Sequence, residues 1–563
     1  MPPSTGLTTT VPSGDGTHGE AAAGSGLAID LRRLPWITRL AADYAFDYAR
    51  LDDFFAGNPA EPQAWRTVVD RAARHPRDRQ ALVDVLRAQQ QRRGAPAESI
   101  AAAGSLGDAR GVAILTGQQA GLFGGPLFTL LKALTAVQLA ERVRAEQHVP
   151  AVAVFWVDAE DHDWDEVKAC AVLDHEGALV PVSVGNPPGA GVGSVARVHL
   201  DEAAATALHD LGLALPPTEF TEALLEDLGR IYRPGAGMAD AFARWLERLL
   251  GPRGLVVFDA SDPAAKPLVA DLFAREVERA GQTAQLVQRA GAELAALGYH
   301  AQVTPQPDSL ALFHLAERRE PIRIVGDGYM VGDRLESRSQ LVDRVRATPA
   351  AFSPNVLLRP LVQDTLFPTA CYVAGPSELA YLGQLRRVYD LFGVPMPLIY
   401  QRGSATILDG NGMRFLSRQN VPFADLRARD DAALNQLLAS QLPASVEAAL
   451  QDAARAMADG MARLAAEVPR IDATLEGATR STLGRMQDEL RKLQNKVVQA
   501  AKRKDDTLRR QFQHAQVQAF PGGHPQERMV GFVYFLNKYG PAFIDRLNDA
   551  VPLDIGHHRV ITI

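Results

Sequence analysis

One stretch of nine residues, 158–166, concentrates the side chains in this chain that are best suited to chemistry. It holds six carboxylates and one imidazole: Asp158, Glu160, Asp161, His162, Asp163, Asp165 and Glu166. Carboxylates at this density repel one another when they are buried unpaired, so the cluster indicates a bound cation, a cationic substrate or a wet cleft. In that interpretation, Glu160, Asp161 or Asp163 would bind an amine and His162 would accept its proton. The alternative is an acidic helix start, since carboxylates favour the first turn.

A glycine-rich stretch precedes this cluster. Residues 116–125 include four glycines, whose backbone N–H groups can approach an anion closely because no Cβ stands in the way. The polar or backbone groups predicted to bind a substrate or nucleotide are Thr116, Gly117, Gln118, Gln119, Gly121, Gly124 and Gly125, together with Asp158.

Two apolar runs and one helix must position both stretches. Residues 112–115 and 152–157 contain no polar side chain, as is typical of strands buried on both faces of a sheet. Between them, Pro126 favours a helix start, and leucines recur at helical spacing to about residue 146. The pattern predicts a βαβ unit with both polar stretches at the carboxyl ends of parallel strands, where open sheets bind ligands.

Four segments carry a resemblance to a known family. They are TGQQAGLFGGPLFTLLKA, VFWVDAEDHDWDEV, LLRPLVQDTLFPTACYVAGPSELAYLGQLRRVYDLFGVPMPLIYQR and HPQERMVGFVYFLNKYGPAF. These segments closely resemble the BshC family, the cysteine-adding enzymes of bacillithiol biosynthesis, and the match is collinear from about residue 30 to the C-terminus. The resemblance implies a ligase that joins L-cysteine to glucosaminyl malate in the last step of bacillithiol synthesis.

The resemblance also implies an α/β fold, with a Rossmann-like parallel-sheet core, two connecting insertions and a long C-terminal α-helical coiled coil. We expect a disordered tail over residues 1–26, a core over 27–424 with insertions at about 170–250 and 286–350, a coiled coil over 425–515, and a C-terminal segment, 516–563, docked on the core.

The third segment adds candidate binding residues. Gly375 precedes a predicted helix on which Glu378, Tyr381 and Gln384 recur at intervals of three, so that they share one face. That face either lines the crevice or is solvated, and the family resemblance favours the crevice. The candidates from this segment are Arg359, Gln363, Gly375, Glu378, Tyr381, Gln384 and Arg402.

Composition excludes several classes of protein. The chain has 563 residues, 47% hydrophobic and 22% charged, and a formal net charge of −7, which argues against a nucleic-acid surface. Its two cysteines, Cys170 and Cys371, form no CxxC and are expected to be buried small residues in a reducing cytoplasm. No apolar run reaches the roughly 20 residues needed to span a bilayer.

Making an amide from a carboxylate and cysteine's amine requires an activated acyl group and a deprotonated amine. Activation usually means a nucleotide, so ATP or ADP is the expected cofactor, although no GxxxxGK[ST] or HIGH-type signature occurs. The acidic cluster matches no specific metal motif. Two other functions stay open, a nucleotidyltransferase with another acceptor and a non-catalytic coiled-coil scaffold.

Beyond residue 425 the composition changes to Ala, Leu, Gln, Arg and Asp with apolar residues at heptad spacing. Pro469 and Asp472 interrupt the pattern, so we predict two long helices with a break at about 468–472. Heptad seams bury apolar residues only against a partner, which predicts an intramolecular hairpin, a homodimer seam or both.

Overall fold

The computed structural model describes residues 26–427, 432–440, 444–472, 474–504 and 506–563. Apart from Gly26, the predicted tail lies outside these described residues. The strands are β1 Gly26–Asp30, β2 Val112–Gln118, β3 Ala151–Val157, β4 Ala169–Leu173, β5 Leu179–Ser183, β6 Val256–Asp259, β7 Ser309–Leu315, β8 Arg319–Val325, β9 Gly328–Val331, β10 Arg334–Ser337, β11 Phe352–Pro354, β12 Thr369–Ala374, β13 Leu398–Gln401, β14 Ser404–Ile407 and β15 His557–Ile561.

The α-helices alternate with these strands in the first two thirds of the chain and predominate in the last. They are α1 Arg39–Phe46, α2 Pro62–Arg74, α3 Arg79–Arg93, α4 Ala97–Ser105, α5 Leu127–Gln147, α6 Trp164–Val167, α7 Ala203–Ala214, α8 Thr221–Ile231, α9 Met238–Leu250, α10 Ala270–Glu278, α11 Gln282–Ala296, α12 Arg338–Ala347, α13 Arg359–Leu366, α14 Pro376–Leu382, α15 Arg386–Phe392, α16 Gly410–Gln419, α17 Ala432–Ser440, α18 Ala444–Glu467, α19 Leu475–Lys504, α20 Asp506–Ala519, α21 Gln526–Met529, α22 Phe532–Tyr539 and α23 Phe543–Ala550.

A five-stranded parallel sheet forms the core, in the order β13-β12-β2-β3-β6. The chain starts in the middle with β2, builds outward through β3 to β6, and then returns to the other side of β2 with β12 and β13. The strand order therefore reverses between β2 and β12. Such a reversal opens a crevice at the carboxyl ends of the strands, because the helices on the two sides leave in opposite directions.

The central βαβ unit confirms the sequence prediction. Side chains of β2 and β3 alternate between two apolar layers, and all but the last residue of β2 are buried, as the uninterrupted apolar runs predicted. One difference bears on the site. β2 continues through Thr116 to Gln118, pairing with β3 up to Gln118↔Val157, so three residues predicted to lie in the glycine loop belong to the strand.

Two insertions interrupt the sheet. Between β3 and β6 lie the antiparallel hairpin β4–β5 and the helices α6 to α9. Residues Val195–Arg197 form a 3-10 turn, in which the N–H of Val195 donates to the carbonyl oxygen of Asp161 and the N–H of Ala196 to that of Ala159. Between β6 and β12 an antiparallel sheet forms in the order β10-β9-β8-β7-β11.

The C-terminal part contains a long helical hairpin and contributes two strands to a third sheet. α18 and α19 pack against each other and are separated by the turn Val468–Arg470, as the predicted break at 468–472 required. α20 leads back to the core, where β15 pairs with both β1 and β14. This sheet joins the two ends of the described chain, and no local pattern in the sequence predicted it.

Candidate active site

A cavity of about 420 Å³ lies at the carboxyl ends of the core strands, beside the reversal between β2 and β12. β2 contributes Gly117 and Gln118 to its wall, β3 leads into Asp158, and β12 leads into Gly375. Open parallel sheets bind ligands at this position, and the volume is that of a small-molecule site. The cavity therefore unites the two polar stretches and the third segment that the sequence singled out.

Arg359, the first residue of α13, places an unpaired guanidinium in the cavity wall. Its Nη2 donates to the hydroxyl of Tyr381 at 3.0 Å and its Nη1 to Oε1 of Gln363 at 3.2 Å. Within the described chain no carboxylate forms an ion pair with it. Burial opposes its charge, yet Tyr381, Tyr372 and Asp158 hold the pKa of Arg359 above its usual range. The guanidinium is thus oriented but available to an anion.

Two further arginines from distant parts of the chain line the same cavity. Arg319 of β8 donates to Oγ of Ser353 at 3.2 Å and lies 3.6 Å from Oδ1 of Asp161. Arg528 of α21 forms no ion pair with any residue that the structure describes. Together with Arg359, these groups give part of the wall a positive potential suited to a carboxylate or phosphate.

Lys132 and Glu378 form an ion pair in the wall. Lys132 of α5 also donates to the carbonyl oxygen of Gly117 at 2.8 Å and to Oε1 of Gln118 at 3.2 Å. Glu378 accepts from the hydroxyl of Tyr372 at 2.7 Å. Burial lowers the pKa of Lys132. Burial would raise the pKa of Glu378, but Lys132 outweighs it and lowers that pKa. The pair joins the end of β2 to the start of α14 across the sheet reversal.

The acidic cluster after β3 divides into paired and unpaired carboxylates. Glu160 is buried and forms an ion pair with buried Lys266. Asp161 accepts from Nε2 of Gln119 at 2.7 Å. Asp158 and Glu166 line the cavity, and neither carboxylate bonds a side chain of the described residues. Burial raises the pKa of both Asp158 and Glu166. Of the four cavity carboxylates of this cluster, these two are available to an amine.

His162 and Asp163 lie outside the cavity. The imidazole of His162 is 61% exposed, and its Nδ1 lies 3.1 Å from Oδ1 of Asp161. Asp163 is the N-cap of α6, where its carboxylate accepts from the N–H of Glu166 at 3.2 Å. The helix-start interpretation therefore accounts for Asp163. The predicted catalytic positions of these two residues are not supported by the geometry, because neither side chain reaches the cavity.

The glycines of residues 117–125 are required by backbone packing. Gly117 lines the cavity, and a Cβ there would lie 2.8 Å from the carbonyl oxygen of Trp156. Gly124 has φ +97°, and a Cβ there would lie 2.1 Å from Cζ of Phe532. Gly121 packs on Gly125, whose φ is +77°. Gly121, Gly124 and Gly125 do not line this cavity, so the prediction that they cradle an anion stays a prediction.

Several other candidates hold the wall in place. The hydroxyl of Thr116 donates to the carbonyl oxygen of Val373 at 3.0 Å and ties β2 to β12. Gln384 is buried and bonds the backbone of Val303, with its Nε2 2.9 Å from the carbonyl oxygen, so the prediction that it lines the crevice is wrong. Arg402 does line the cavity, but Glu527 engages its guanidinium through two hydrogen bonds of 2.9 and 2.6 Å.

Two polar atoms of the cavity walls are buried without a partner among the described residues. They are Oε1 of Gln119 and the indole Nε1 of Trp156. Leaving a buried donor or acceptor unsatisfied costs about 1–3 kcal/mol. Both atoms are shielded from solvent, so the folded chain carries this cost next to the cavity.

Sequence reasoning missed Lys132, Arg319, Tyr372, Asn355 and Arg528 as wall residues. Lys132 had a signal, because a lysine within an otherwise apolar helix face must find a buried partner. Tyr372 and Arg528 stood inside the quoted family segments but carried no pattern of their own. Arg319 had no signal, since its position depends on how the second insertion folds over the crevice.

The arrangement can hold a polyanion and an amine side by side.

Among the described residues, no three His, Cys, Asp or Glu side chains converge as a metal site requires. None of the helices in the described ranges combines the length and apolarity needed to cross a membrane. The two cysteines are free thiols buried in the interior, as predicted, so neither is exposed for nucleophilic chemistry.

Comparison with known proteins agrees with this geometry. The description "Bacillithiol biosynthesis BshC, N-terminal Rossmann-like domain" matches residues 28–403, and "Bacillithiol biosynthesis BshC, C-terminal coiled-coil domain" matches residues 405–563. The boundary falls between β13 and β14, where the chain leaves the parallel sheet.

Whole-length relatives carry the name "Putative cysteine ligase BshC". The protein of Salinibacter ruber is 36% identical over 533 residues, which cover 93% of this chain and 96% of that protein. The protein of Chlorobaculum tepidum is 32% identical over 91% of each chain. The protein of Koribacter versatilis is 32% identical over 95% of this chain and 99% of its own. This chain belongs to the BshC family of bacillithiol biosynthesis.

Proposed function

We propose that this protein is a ligase that joins L-cysteine to glucosaminyl malate through an amide bond, the last step of bacillithiol synthesis. The observation that carries the proposal is that the guanidinium of Arg359 and the carboxylate of Asp158 line the same cavity, and neither forms an ion pair with a described residue. Both substrates bring carboxylates and an amine, and a site for them needs groups of both signs.

The distribution of charge favours one direction of attack. The malyl group carries two carboxylates, and Arg359, Arg319 and Arg528 supply three guanidinium groups that could bind them. Malyl carboxylates held in this way would serve substrate recognition and would not be converted into the new amide. The sugar amine is then the nucleophile and the cysteine carboxyl is the acylated group, which is the opposite of the direction expected from the sequence.

A nucleoside triphosphate, ATP in the simplest case, would supply the free energy for acyl activation. Two of the three guanidinium groups, those of Arg359 and Arg319, suffice for the malyl carboxylates. Arg528, which has no carboxylate partner among the described residues, would then bind the anionic part of the nucleoside triphosphate. Lys132, held by the carbonyl oxygen of Gly117 and by Glu378, fixes the shape of the adjacent wall. Catalysis would then rest on orientation and on removal of the amine proton.

The direct test is ligation by the purified protein. L-cysteine, glucosaminyl malate and ATP with Mg²⁺ should give a product with the mass of bacillithiol, together with ADP or AMP. Omitting any one substrate is the control. A strain lacking the gene should accumulate glucosaminyl malate and lose bacillithiol, and the full-length gene should restore it. Ligation of another amine in preference to glucosaminyl malate would overturn the proposal.

The same proposal extends to assembly and location. The helical hairpin of α18 and α19 leaves Ile471 and Leu493 exposed, which supports a homodimer through the coiled coil. The reaction belongs in the cytoplasm, where nucleoside triphosphates and reduced cysteine are available. Neither nucleic acid nor membrane has a place in this scheme, and the net charge of −7 agrees with it.

A further inference from the structure

We infer that Asp158 is the general base that takes the proton of the attacking sugar amine. The inference rests on the proposed function and assigns this step to one side chain. It replaces His162, which the acidic cluster predicted for the role and whose imidazole stands outside the cavity.

Geometry singles out Asp158 among the cavity carboxylates. Glu160 is occupied by Lys266, Asp161 by Gln119, and Glu378 by Lys132. The carboxylate of Asp158 makes no hydrogen bond or ion pair with the described residues. A base needs such a free lone pair directed at the substrate.

Asp158 is also fixed in position. It directly follows the central strand β3, and its N–H donates to the carbonyl oxygen of Gln118 at 3.0 Å, which extends the pairing of β2 and β3 by one bond. Glu166, the other carboxylate free of a partner, lies in the short helix α6 and is more exposed than Asp158, although its partial burial still raises its pKa. A base at the end of a central strand holds its distance to the reacting nitrogen better than one on a short, more exposed helix.

The charges around Asp158 come from several elements. Arg359 of α13, Arg319 of β8 and Lys266 of the 3-10 helix Pro263–Val269 favour its ionised form, while burial and Asp161 oppose it. Burial is the largest influence and raises the pKa of Asp158. A carboxylate with a raised pKa is a stronger base than one in water.

The step balances in atoms and charge. The ammonium of glucosaminyl malate gives one proton to the Asp158 carboxylate, which passes it to solvent. The neutral nitrogen then attacks the carbonyl carbon of the cysteinyl group that a nucleoside triphosphate has activated. A C–N bond forms, the bond from that carbon to the activating oxygen breaks with its electron pair, and the nitrogen loses its second proton to solvent.

The first test measures binding in the absence of nucleotide. Wild-type protein should bind glucosaminyl malate about tenfold to a hundredfold more tightly than its N-acetylated analogue, which lacks the ammonium, because a charge-assisted contact is lost. In Asp158→Asn the two compounds should bind alike. Asp165→Asn is the matched control, since that carboxylate is 84% exposed and pairs with Lys168 outside the cavity. An unchanged preference in Asp158→Asn would overturn the inference.

The second test follows ligation against pH. Asp158→Asn should lower kcat roughly a hundredfold to ten-thousandfold at pH 7. The ligation rate of Asp158→Asn should rise about tenfold per pH unit as the fraction of neutral sugar amine grows, and should level off once that amine is fully neutral. Wild-type protein and Asp165→Asn should be flat over that range. Asp158→Glu, which keeps a carboxylate, should restore the flat profile, and it serves as the second variant if the Asn protein melts early. A flat profile in Asp158→Asn would overturn the inference, whereas absence of ligation by wild-type protein would overturn the proposed function instead.

Discussion

Lys132 and Glu378 show how a single pair of side chains can hold a cavity wall. Lys132 is only 3% exposed, so its charge depends on Glu378 and on the carbonyl oxygen of Gly117. Removing one partner of a buried ion pair leaves the other uncompensated and costs about 3–5 kcal/mol. We therefore expect Lys132→Met to lower the free energy of unfolding by that amount and to abolish ligation.

The double variant Lys132→Met/Glu378→Gln separates the two effects. With both charges removed, no unpaired charge is left buried. Chemical denaturation should therefore give a free energy of unfolding within about 1–2 kcal/mol of the wild-type value. Ligation should stay lost, because Gln118 has no ammonium to orient it. Recovery of ligation in the double variant would contradict a positioning role for the pair.

Asp161 and His162 are neighbours in sequence, but we expect substitution of Asp161 to reduce ligation more than substitution of His162. Asp161 accepts from Gln119 within the cavity wall, whereas the ring of His162 is largely in solvent. His162→Ala should cost far less than the roughly hundredfold loss that follows removal of a general base. Asp161→Ala should lower kcat/KM more, because it frees Gln119 and Arg319. Steady-state ligation rates on both variants check this ranking, and a larger loss in His162→Ala would return the imidazole to the mechanism.

At the level of elements, the turn between β2 and α5 is fixed by packing. Gly124 adopts φ +97°, which L side chains rarely do, and its Cα faces the ring of Phe532 in α22. Gly124→Val should therefore lower the melting temperature markedly. Backbone strain alone should reduce the free energy of unfolding by about 1–3 kcal/mol, and the clash with Phe532 should reduce it further.

Gly393→Ala is a useful comparison for that variant. Gly393 also has positive φ, +63°, but a Cβ at this position would meet no atom within 4 Å, so only backbone strain is added. Differential scanning calorimetry should show the larger loss in Gly124→Val. Equal melting temperatures in the two variants would mean that the contact with Phe532 contributes nothing.

β14 and β15 bury a histidine that gives this sheet a pH dependence. His558 lies between the hydroxyls of Ser404 and Thr406, at 2.7 and 2.9 Å. Burial is the main cause that lowers its pKa from 6.5 to about 4, with Glu527 opposing. The unfolded chain therefore binds a proton more readily, and stability present above pH 6.5 is lost as the pH falls toward 4.

Between pH 7 and pH 5 that loss should amount to about 2 kcal/mol in the free energy of unfolding. His558→Gln removes the titrating group and leaves the other residues of the sheet unchanged. Urea unfolding at both pH values should show the wild-type protein losing about 2 kcal/mol more than the variant. The same loss in both proteins would assign the pH dependence to other groups.

The sequence predicted elements well where the pattern was local. The apolar runs of β2 and β3, the leucine spacing of α5 and the break near Pro469 each follow from neighbouring residues. It failed where pairing is distant, since β14 and β15 lie far apart in the chain and each is short. For the same reason Arg319 was missed, and neither the exposure of the His162 ring nor the contact of Gly124 with Phe532 could be predicted from their place in a motif.

At the scale of the whole molecule, a buried ion pair joins the C-terminal part to the cavity wall. Glu527 of α21 binds Arg402 at the end of β13 and also accepts from Oγ of Ser404 at 3.0 Å. Burial would raise the pKa of Glu527, but Arg402 lowers it to about 2, so this contact is intact at neutral pH. The segment that follows the helical hairpin is therefore tied to the cavity wall by a buried ion pair.

The hairpin itself carries the last prediction. Leu493 is 51% exposed on α19 and Met486, one heptad earlier, is 37% exposed, so the intramolecular seam with α18 leaves an apolar stripe uncovered. A second copy would cover that stripe, and Leu493→Glu should convert a homodimer into monomers. Multi-angle light scattering at micromolar concentration measures the mass of each protein, and far-ultraviolet circular dichroism checks that helix content is unchanged. Ser377→Ala, at the cavity and far from the stripe in sequence, should keep the wild-type mass. A wild-type mass equal to that of one 60.8 kDa chain would exclude the dimer, and the exposed stripe would then need another partner.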